Sequence, residues 1–158
     1  MIVSDTTPIS NFLHIGKISV LGELFGVVYI PEAVANEVDV AFSGCQEWQE
    51  SLEGRQMIIQ PISNITLVRQ MVPFLHQGEA EAICLGLEKQ RAKLCLIDDK
   101  DARTIAQLNN LPVTRTLGVL LKAKKTGLIS SVKQPMDTLR VVCHIISPDF
   151  SHNKIPCF

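Results

Sequence analysis

Several features that mark well-known protein classes are missing from this sequence. No apolar run approaches the roughly 18 residues that a membrane-spanning helix needs, and the N-terminal segment MIVSDTTPIS lacks the basic and then apolar order of a secretory signal. The five cysteines form no Cys-x-x-Cys pair, and neither a His-Glu-x-x-His motif nor a Gly-x-x-x-x-Gly-Lys loop occurs. These absences argue against a membrane protein, a common zinc site and a P-loop nucleotidase. We therefore expect reduced thiols and a cytoplasmic location.

Repeats, low-complexity tracts and proline-rich linkers are also missing, so we expect one domain. Short β-branched runs alternate with longer segments of helical periodicity, which is typical of an α/β fold with a central, mostly parallel sheet of about five strands. The predicted strands are Ile2–Ser4, Val27–Ile30, Met57–Gln60, Leu94–Ile97 and Pro112–Thr114. The predicted helices are Pro8–His14, Ser19–Phe25, Pro31–Val38, Cys45–Leu52, Ile65–Val72, Gly78–Lys89, Lys100–Leu108, Leu117–Lys125 and Ser130–Leu139.

The C-terminal segment has a different character from the rest. Residues 1–140 are expected to form the domain, and residues 141–158 to add an edge strand and a tail to it. The strand is predicted from the run VVCHII, after which the sequence becomes polar and contains proline.

Charge is unevenly divided along the chain, although the formal net charge is −1. Residues 1–88 carry three basic and eleven acidic side chains, whereas residues 89–158 carry twelve basic and five acidic ones. Such asymmetry is typical of a cation-binding site that lies beside a surface for polyanions. The same distribution also fits charges scattered over solvated helices, and composition alone does not decide between the two.

Acidic residues directly follow two of the predicted strands. Asp5 comes after the first strand, and Asp98 and Asp99 come after the fourth. Ligands of open parallel sheets bind beyond the carboxyl ends of the strands, so these acids meet at one edge if the two strands are neighbours. Each acid alone has a simpler interpretation, because Asp after a strand often only caps a helix.

Three glutamates on predicted helices extend this set: Glu37, Glu79 and Glu81. A glutamate at a helix start interacts favourably with the helix dipole, which alone would explain Glu79. Acids that converge from four separate segments need a further reason, because clustered carboxylates repel one another unless a cation is bound. Their oxygens favour Mg²⁺ or Mn²⁺ over zinc, and such an ion assists phosphodiester hydrolysis.

Three segments of the sequence together resemble the PIN domain, in particular a small prokaryotic, DUF3368-like branch related to the VapC-type toxin ribonucleases. They are SDTTPISNFLHIGKISVLGELFGVVYIPEAVANEV, GEAEAICLGLE and LIDDKDARTIAQLNNLPVTRTLGVLLKAKKTGLI, and they cover roughly residues 2–140. The resemblance implies a three-layer α/β/α fold whose acidic pocket binds Mg²⁺ or Mn²⁺ and activates water against RNA. It also implies the toxin of a toxin–antitoxin pair, with a cognate antitoxin as partner and a homodimer as the assembly.

The resemblance assigns individual acids to the pocket. Asp5 matches the first acid of the family, Thr6 the hydroxyl residue beside it, and Glu37 the second acid. Both Glu79 and Glu81 are candidates for the third acid: Glu81 has the commoner spacing, whereas Glu79 begins the Gly-Glu-x-Glu-Ala block of this branch.

Asp99 fits the fourth acid, which Asp98 could replace or assist. Many members carry Thr or Ser just before this acid, whereas Ile97 precedes the aspartate pair here. The hydroxyl would then come from elsewhere, for instance Thr116 or Thr6.

Our hypothesis from the sequence is that three acids hold one metal ion directly or through water, namely Asp5, Glu81 and Asp99, with Glu37 and Asp98 in supporting positions. The basic residues best placed to contact RNA phosphates are Lys100, Arg103 and Arg115. Lys122, Lys124 and Lys125 could also contribute, although two or more of them are expected on the solvated face of a helix. With one Trp and one Tyr, the chain lacks the aromatic residues for a broad base-stacking platform.

Two further interpretations compete with the nuclease. A catalytically weak PIN fold could serve as a nucleic-acid- or antitoxin-binding module, which the missing hydroxyl before Asp98 favours. A phosphatase with Asp5 as nucleophile would need a second Asp at position 7, where the sequence has Thr7. A receiver domain is disfavoured because its acidic pair should follow the first strand.

Overall fold

A five-stranded parallel sheet forms the centre of the protein. The computed structural model describes residues 1–88 and 92–146. The strands are β1 (Ile2–Ser4), β2 (Val28–Ile30), β3 (Met57–Ile59), β4 (Leu94–Leu96) and β5 (Val113–Thr114). They lie in the order β3-β2-β1-β4-β5, so β1 is central and pairs with both β2 and β4. Because all the strands are parallel, their carboxyl ends share one edge of the sheet.

Helices connect successive strands, as parallel pairing requires. In the described part of the chain they are α1 (Thr6–His14), α2 (Ser19–Phe25), α3 (Glu32–Ala41), α4 (Gln46–Glu53), α5 (Ile65–Met71), α6 (Gln77–Glu88), α7 (Lys100–Leu108), α8 (Thr116–Lys125) and α9 (Lys133–Ile146). The five strands and nine helices predicted within residues 1–140 are present, with ends that differ by up to three residues apart from α9, and the predicted helix end at Lys89 lies outside the described residues. None of the described helices is long and apolar enough to cross a membrane.

The side chains of alternate strand residues pack into two hydrophobic cores, one on each face of the sheet. Val28, Ile30 and Leu96 pack into the first core, against α1, α2, α3 and α8. Val3 and Cys95 point to the opposite face and pack against α5, α6 and α7. Burying each aliphatic side chain contributes about 1.5–3 kcal/mol, so both faces of the sheet hold helices in place. The predicted three-layer α/β/α fold is thereby confirmed.

The edge strand predicted for VVCHII is wrong, because residues 141–146 continue helix α9. Met136 and Leu139 of α9, with Val132 just before it, are placed against the core at helical spacing, and the helix that they anchor continues through residues 141–146. Local β-propensity is weak compared with such packing. The predicted tail at 147–158 lies outside the described residues.

Candidate active site

The carboxyl edge of the sheet brings the strand-following acids together. β1 and β4 are neighbours, and the backbone N–H of Asp5 donates to the carbonyl of Leu96 at 3.1 Å, which extends their pairing by one residue. Asp5 therefore lies beside the start of the Asp98–Asp99 segment. The expectation that these acids meet at one edge agrees with the strand order.

Asp5 is the most unusual side chain at this edge. It is fully buried, and neither carboxylate oxygen has a hydrogen-bond partner of normal geometry among the described residues. Burial raises the pKa of Asp5 well above its ordinary value, the nearby charges of Asp98, Glu79 and Asp99 raise it further, and the backbone N–H of Thr7 opposes the rise. A buried carboxylate without partners is costly, so these two oxygens need a cation or a proton.

Asp98 is buried as well, but its carboxylate is fully engaged. Oδ1 accepts from the backbone N–H of Thr116 at 2.8 Å, and Oδ2 accepts from the Thr116 hydroxyl and from Nδ2 of Asn11 at 3.0 Å. Burial raises the pKa of Asp98, and these hydrogen bonds oppose the rise. Asp98 thus ties the end of β4 to the second turn of α1 and the first turn of α8, and it has little capacity left for another ligand.

Asp99 caps helix α7. Its Oδ1 accepts from the backbone N–H groups of Asp101 at 2.8 Å and Ala102 at 2.9 Å. No described residue donates a hydrogen bond to Oδ2, so the cap occupies only one of the two carboxylate oxygens. Capping fixes the side chain near Asp5 while leaving one oxygen available.

Glu79 and Glu81 project from α6 towards different neighbours. Burial raises the pKa of Glu79, the backbone N–H of His76, which donates to Oε2 at 3.1 Å, opposes the rise, and the charges of Asp99 and Glu37 add to it. Glu79 also interacts with Asp5, so it belongs to the carboxylate cluster. Glu81 instead accepts from the backbone N–H of Ala33 at 3.2 Å, in the first turn of α3, and so joins the two helices.

Glu37 lies behind Glu79, between α3 and the start of α6. One oxygen accepts from the hydroxyl of Thr6, and the other from the backbone N–H of Gly78 at 3.2 Å. A Cβ atom at position 78 would lie 2.9 Å and 3.0 Å from the two Glu37 oxygens. The glycine therefore allows the acid to approach the helix start.

A comparison with family models identifies the family. The DUF3368 model, described as a PIN domain, matches residues 1–155. The chain belongs to the PIN-domain family. This is a nuclease-type fold whose members typically use divalent metals. The predicted resemblance to the PIN domain is confirmed, whereas the relation to VapC-type toxins stays a prediction. Neither the curated proteins nor the solved structures contain a match to the chain.

The carboxylates of this PIN domain suit a hard cation by their chemistry. The two oxygens of Asp5 without partners and the remaining oxygen of Asp99 are the ligand type that Mg²⁺ and Mn²⁺ prefer. Within residues 1–88 and 92–146, no three Asp, Glu, His or Cys side chains are close enough together to hold an ion directly. Mg²⁺ often binds through one or two carboxylates and keeps several waters, so the donor set fits it in that mode.

The predicted RNA-contacting residues lie on the elements that begin at the carboxyl edge. Lys100 starts α7, and Arg115 directly precedes α8. Arg103 also lies there, but its guanidinium donates to the backbone carbonyl of Asp98 and so supports the acidic loop. Lys122 lies with its ammonium 4.7 Å from the Phe25 ring centre, in the part of α8 far from the acids.

Sequence reasoning missed Asn11 and Gly78 as parts of this PIN site. Asn11 lies among buried apolar residues of α1 and donates both to Asp98 and, at 3.2 Å, to the hydroxyl of Thr116. The sequence feature that could have identified Asn11 is a polar residue on the apolar face of a predicted helix. The sequence feature at Gly78 was weaker, because a glycine before Glu79 also fits an ordinary helix start.

Proposed function

We propose that this PIN-domain protein is a metal-dependent ribonuclease whose acidic site is formed by Asp5, Glu79 and Asp99. The observation that carries the proposal is the fully buried Asp5 carboxylate, which has no hydrogen-bond partner of normal geometry and feels the charges of three other acids. The cost of burying such a group is offset by a proton or by a bound cation, and a cation is what a metal-dependent nuclease requires there.

The residues around this trio have distinct roles in the proposal. Asp5 and Asp99 offer the free oxygens, and Glu79 adds the third negative charge. A divalent cation at this place would supply Lewis-acid stabilisation of the charge that develops on the phosphate oxygens. Glu37, held by Thr6 and Gly78, sets the electrostatic environment of Glu79.

The hydrogen bonds also concern the position before the aspartate pair, where this chain has Ile97 and many PIN domains have Thr or Ser. The Thr116 hydroxyl donates to Asp98 and the Thr6 hydroxyl donates to Glu37, so both threonines serve carboxylates of the site. This agrees with supporting roles for Thr6, Thr116 and Asp98. The charge interaction of Glu79 with Asp5, and the hydrogen bond from Ala33 that holds Glu81, favour Glu79 over Glu81 as the third acid of the site.

The decisive experiment is cleavage of a labelled RNA pool by purified protein with Mg²⁺ or Mn²⁺ and with EDTA. Asp5→Asn is expected to reduce metal-dependent cleavage by about 100-fold or more, since even outer-shell changes at metal sites cost about 10–100-fold. Glu23→Gln, an exposed acid on α2, is the matched control and should cut normally. Full metal-dependent cleavage by Asp5→Asn would disprove the assignment.

A second candidate is a PIN-fold binding module without efficient catalysis. It is favoured by the lack of three close metal ligands among the described residues. In this case the folded protein would bind RNA or a protein partner but would leave the RNA pool intact at every metal concentration.

The proposal includes a cytoplasmic toxin of a toxin–antitoxin pair, which the resemblance to toxin ribonucleases supports. Expression of the chain alone should then arrest bacterial growth, whereas Asp5→Asn should not. A small protein encoded next to it should relieve the arrest and copurify with the chain. Growth that is unaffected by well-folded protein would argue against the toxin.

A further inference from the structure

The course of α8 separates its lysines from the acidic site. Helices that follow parallel strands begin at the carboxyl edge of the sheet and end near the opposite edge. α8 starts with Thr116 beside Asp98, and its last turn carries Lys122 next to Phe25, the last residue of α2, three residues before β2 begins. These lysines therefore lie far from the carboxylates, and they do not flank a phosphate that is bound there.

Helix α9 places a basic residue, Arg140, beside the residues that hold Asp98. Residues of α9 pack beside α1 and the start of α8, and together they enclose a cavity of about 20 Å³. The walls include Asn11, Asp98 and Thr116 on one side and Met136, Leu139 and Arg140 on the other. Arg140 thus reaches the residues that hold Asp98, on the face of the sheet opposite Glu79.

The guanidinium of Arg140 is available for a ligand. It forms an ion pair with Asp137 at 3.9 Å, in which the side chains are 64% and 53% exposed. Exposed ion pairs of this kind contribute little to stability, so a phosphate can replace Asp137 as the partner of the guanidinium. Arg103 is less available, because it already donates to the backbone of Asp98.

We propose that Arg140 binds a phosphate of the RNA substrate next to the one that is cut. This inference rests on the proposed ribonuclease function, because it needs an RNA strand that crosses the carboxyl edge. The acids repel the RNA backbone, and a guanidinium on the Asp98 side of the carboxyl edge offsets that repulsion. An arginine suits this role because its planar group donates two parallel hydrogen bonds to one phosphate.

The test measures binding of a fluorescent single-stranded RNA to full-length protein that carries Asp5→Asn, which keeps the RNA uncut. Arg140→Ala in this background should weaken binding by roughly threefold to tenfold, as expected for the loss of one charge-assisted contact. The slope of log affinity against log salt should also fall in magnitude by about 0.7, the value for one phosphate contact on a single strand. Arg140→Lys should recover part of the affinity.

Arg69→Ala is the matched control, because Arg69 is an exposed arginine on α5, in the helical layer on the opposite face of the sheet. In the cleaving protein, Arg140→Ala should raise KM and leave kcat nearly unchanged, which a general loss of folding would not do. Equal affinity and salt slope for Arg140→Ala and its parent would overturn this inference alone. A parent that binds no RNA would overturn both this inference and the proposed function.

Discussion

Asp5 and Asp98 are both buried at the carboxyl edge of the sheet, yet their surroundings differ. Asp98 accepts hydrogen bonds from Thr116 and Asn11, so its charge is balanced by fixed donors. Asp5 has no side-chain donor and only the weak influence of the Thr7 backbone N–H, and it is surrounded by acids. The fixed donors offset part of the cost of burying the Asp98 charge, whereas the cost of burying the Asp5 charge is left for a cation to offset.

Asp5→Asn should stabilise the metal-free protein at neutral pH. The pKa of Asp5 in the fold is raised above its ordinary value of 3.8, so the fold favours the protonated carboxyl over the carboxylate. The stability that comes from this preference is present below about pH 3.8 and is lost as the pH rises towards the raised pKa. Removing the charge should therefore raise Tm by about 2–8 °C near pH 7, for a gain of about 1–2 kcal/mol, and by almost nothing below about pH 3.8.

Thermal unfolding of both proteins in EDTA, between about pH 3 and pH 8, measures this difference. The interpretation fails if the variant is equally or less stable across the whole range. A stability gain that grows with pH is the specific signature of a carboxylate whose pKa is raised in the fold.

Glu79→Gln and Glu81→Gln form a matched pair, two residues apart on one helix. Glu79→Gln should reduce RNA cleavage by about 10-fold or more, since it removes a charge that acts on Asp5 and Asp99. Glu81→Gln keeps an oxygen for the backbone N–H of Ala33 and should cleave nearly as well as the parent. Initial cleavage rates at saturating metal compare the two, and the reverse order would restore Glu81 as the ligand.

At the scale of elements, the junction of α3 and α6 determines where two of the acids lie. Glu81 on α6 bonds to the first turn of α3, and Glu37 on α3 bonds to the start of α6. These reciprocal contacts fix the spacing of the helices, and they turn Glu79 towards Asp5. A change at this junction should therefore affect both stability and activity.

Gly78→Ala tests this junction directly. The added methyl would lie 2.9 Å and 3.0 Å from the Glu37 oxygens and 3.1 Å from the Thr6 hydroxyl, so one side must move. We expect a loss of about 1–3 kcal/mol in the free energy of unfolding, as for other overpacked sites. Chemical denaturation provides the measurement.

The double variant Gly78→Ala with Glu37→Asp serves as the control, because a shorter acid withdraws from the methyl. It should recover part of the lost stability. If Gly78→Ala alone is as stable as the parent, the close approach of Glu37 is not needed for the fold.

At the scale of the whole molecule, two opposite charges are distributed around one edge of the sheet. Acids arrive there from β1, α3, α6 and β4, whereas arginines arrive on α7, before α8 and on α9. Mutual repulsion of the acids is a property of the assembled fold, because in the unfolded chain they are far apart. A cation that binds only the folded state should therefore stabilise it.

Mg²⁺ at about ten times its dissociation constant should add about 1.4 kcal/mol to the free energy of unfolding, which corresponds to a rise in Tm of about 3–6 °C. Asp5→Asn should reduce this rise strongly, whereas the remote Glu23→Gln should not. Differential scanning calorimetry with and without Mg²⁺ gives the values. A metal-induced rise of equal size in Asp5→Asn would show that the ion binds elsewhere.

Much of this organisation follows from local sequence. Strand β1 and Asp5 are next to each other in the chain, and the same holds for β4 and Asp98–Asp99, so strand periodicity was enough to predict acids at strand ends. The alternation of strands and helices likewise determined the parallel sheet, because parallel strands require crossover connections. The family resemblance lay in these same segments.

Tertiary structure decided what local pattern could not. Whether Glu79 or Glu81 faces Asp5 depends on the rotation of α6 against α3, and the role of Asp98 depends on Thr116 and Asn11, which are distant in sequence. The strand predicted for VVCHII became helix α9, because packing against α1 outweighs local β-propensity. That helix brings Arg140 to the site. The sequence by itself thus determined the fold and the types of residue at its acidic edge, since both depend on neighbours along the chain. Only the tertiary structure decided which carboxylates are held by donors and which remain open to a ligand, because those partners come from elements far apart in the chain.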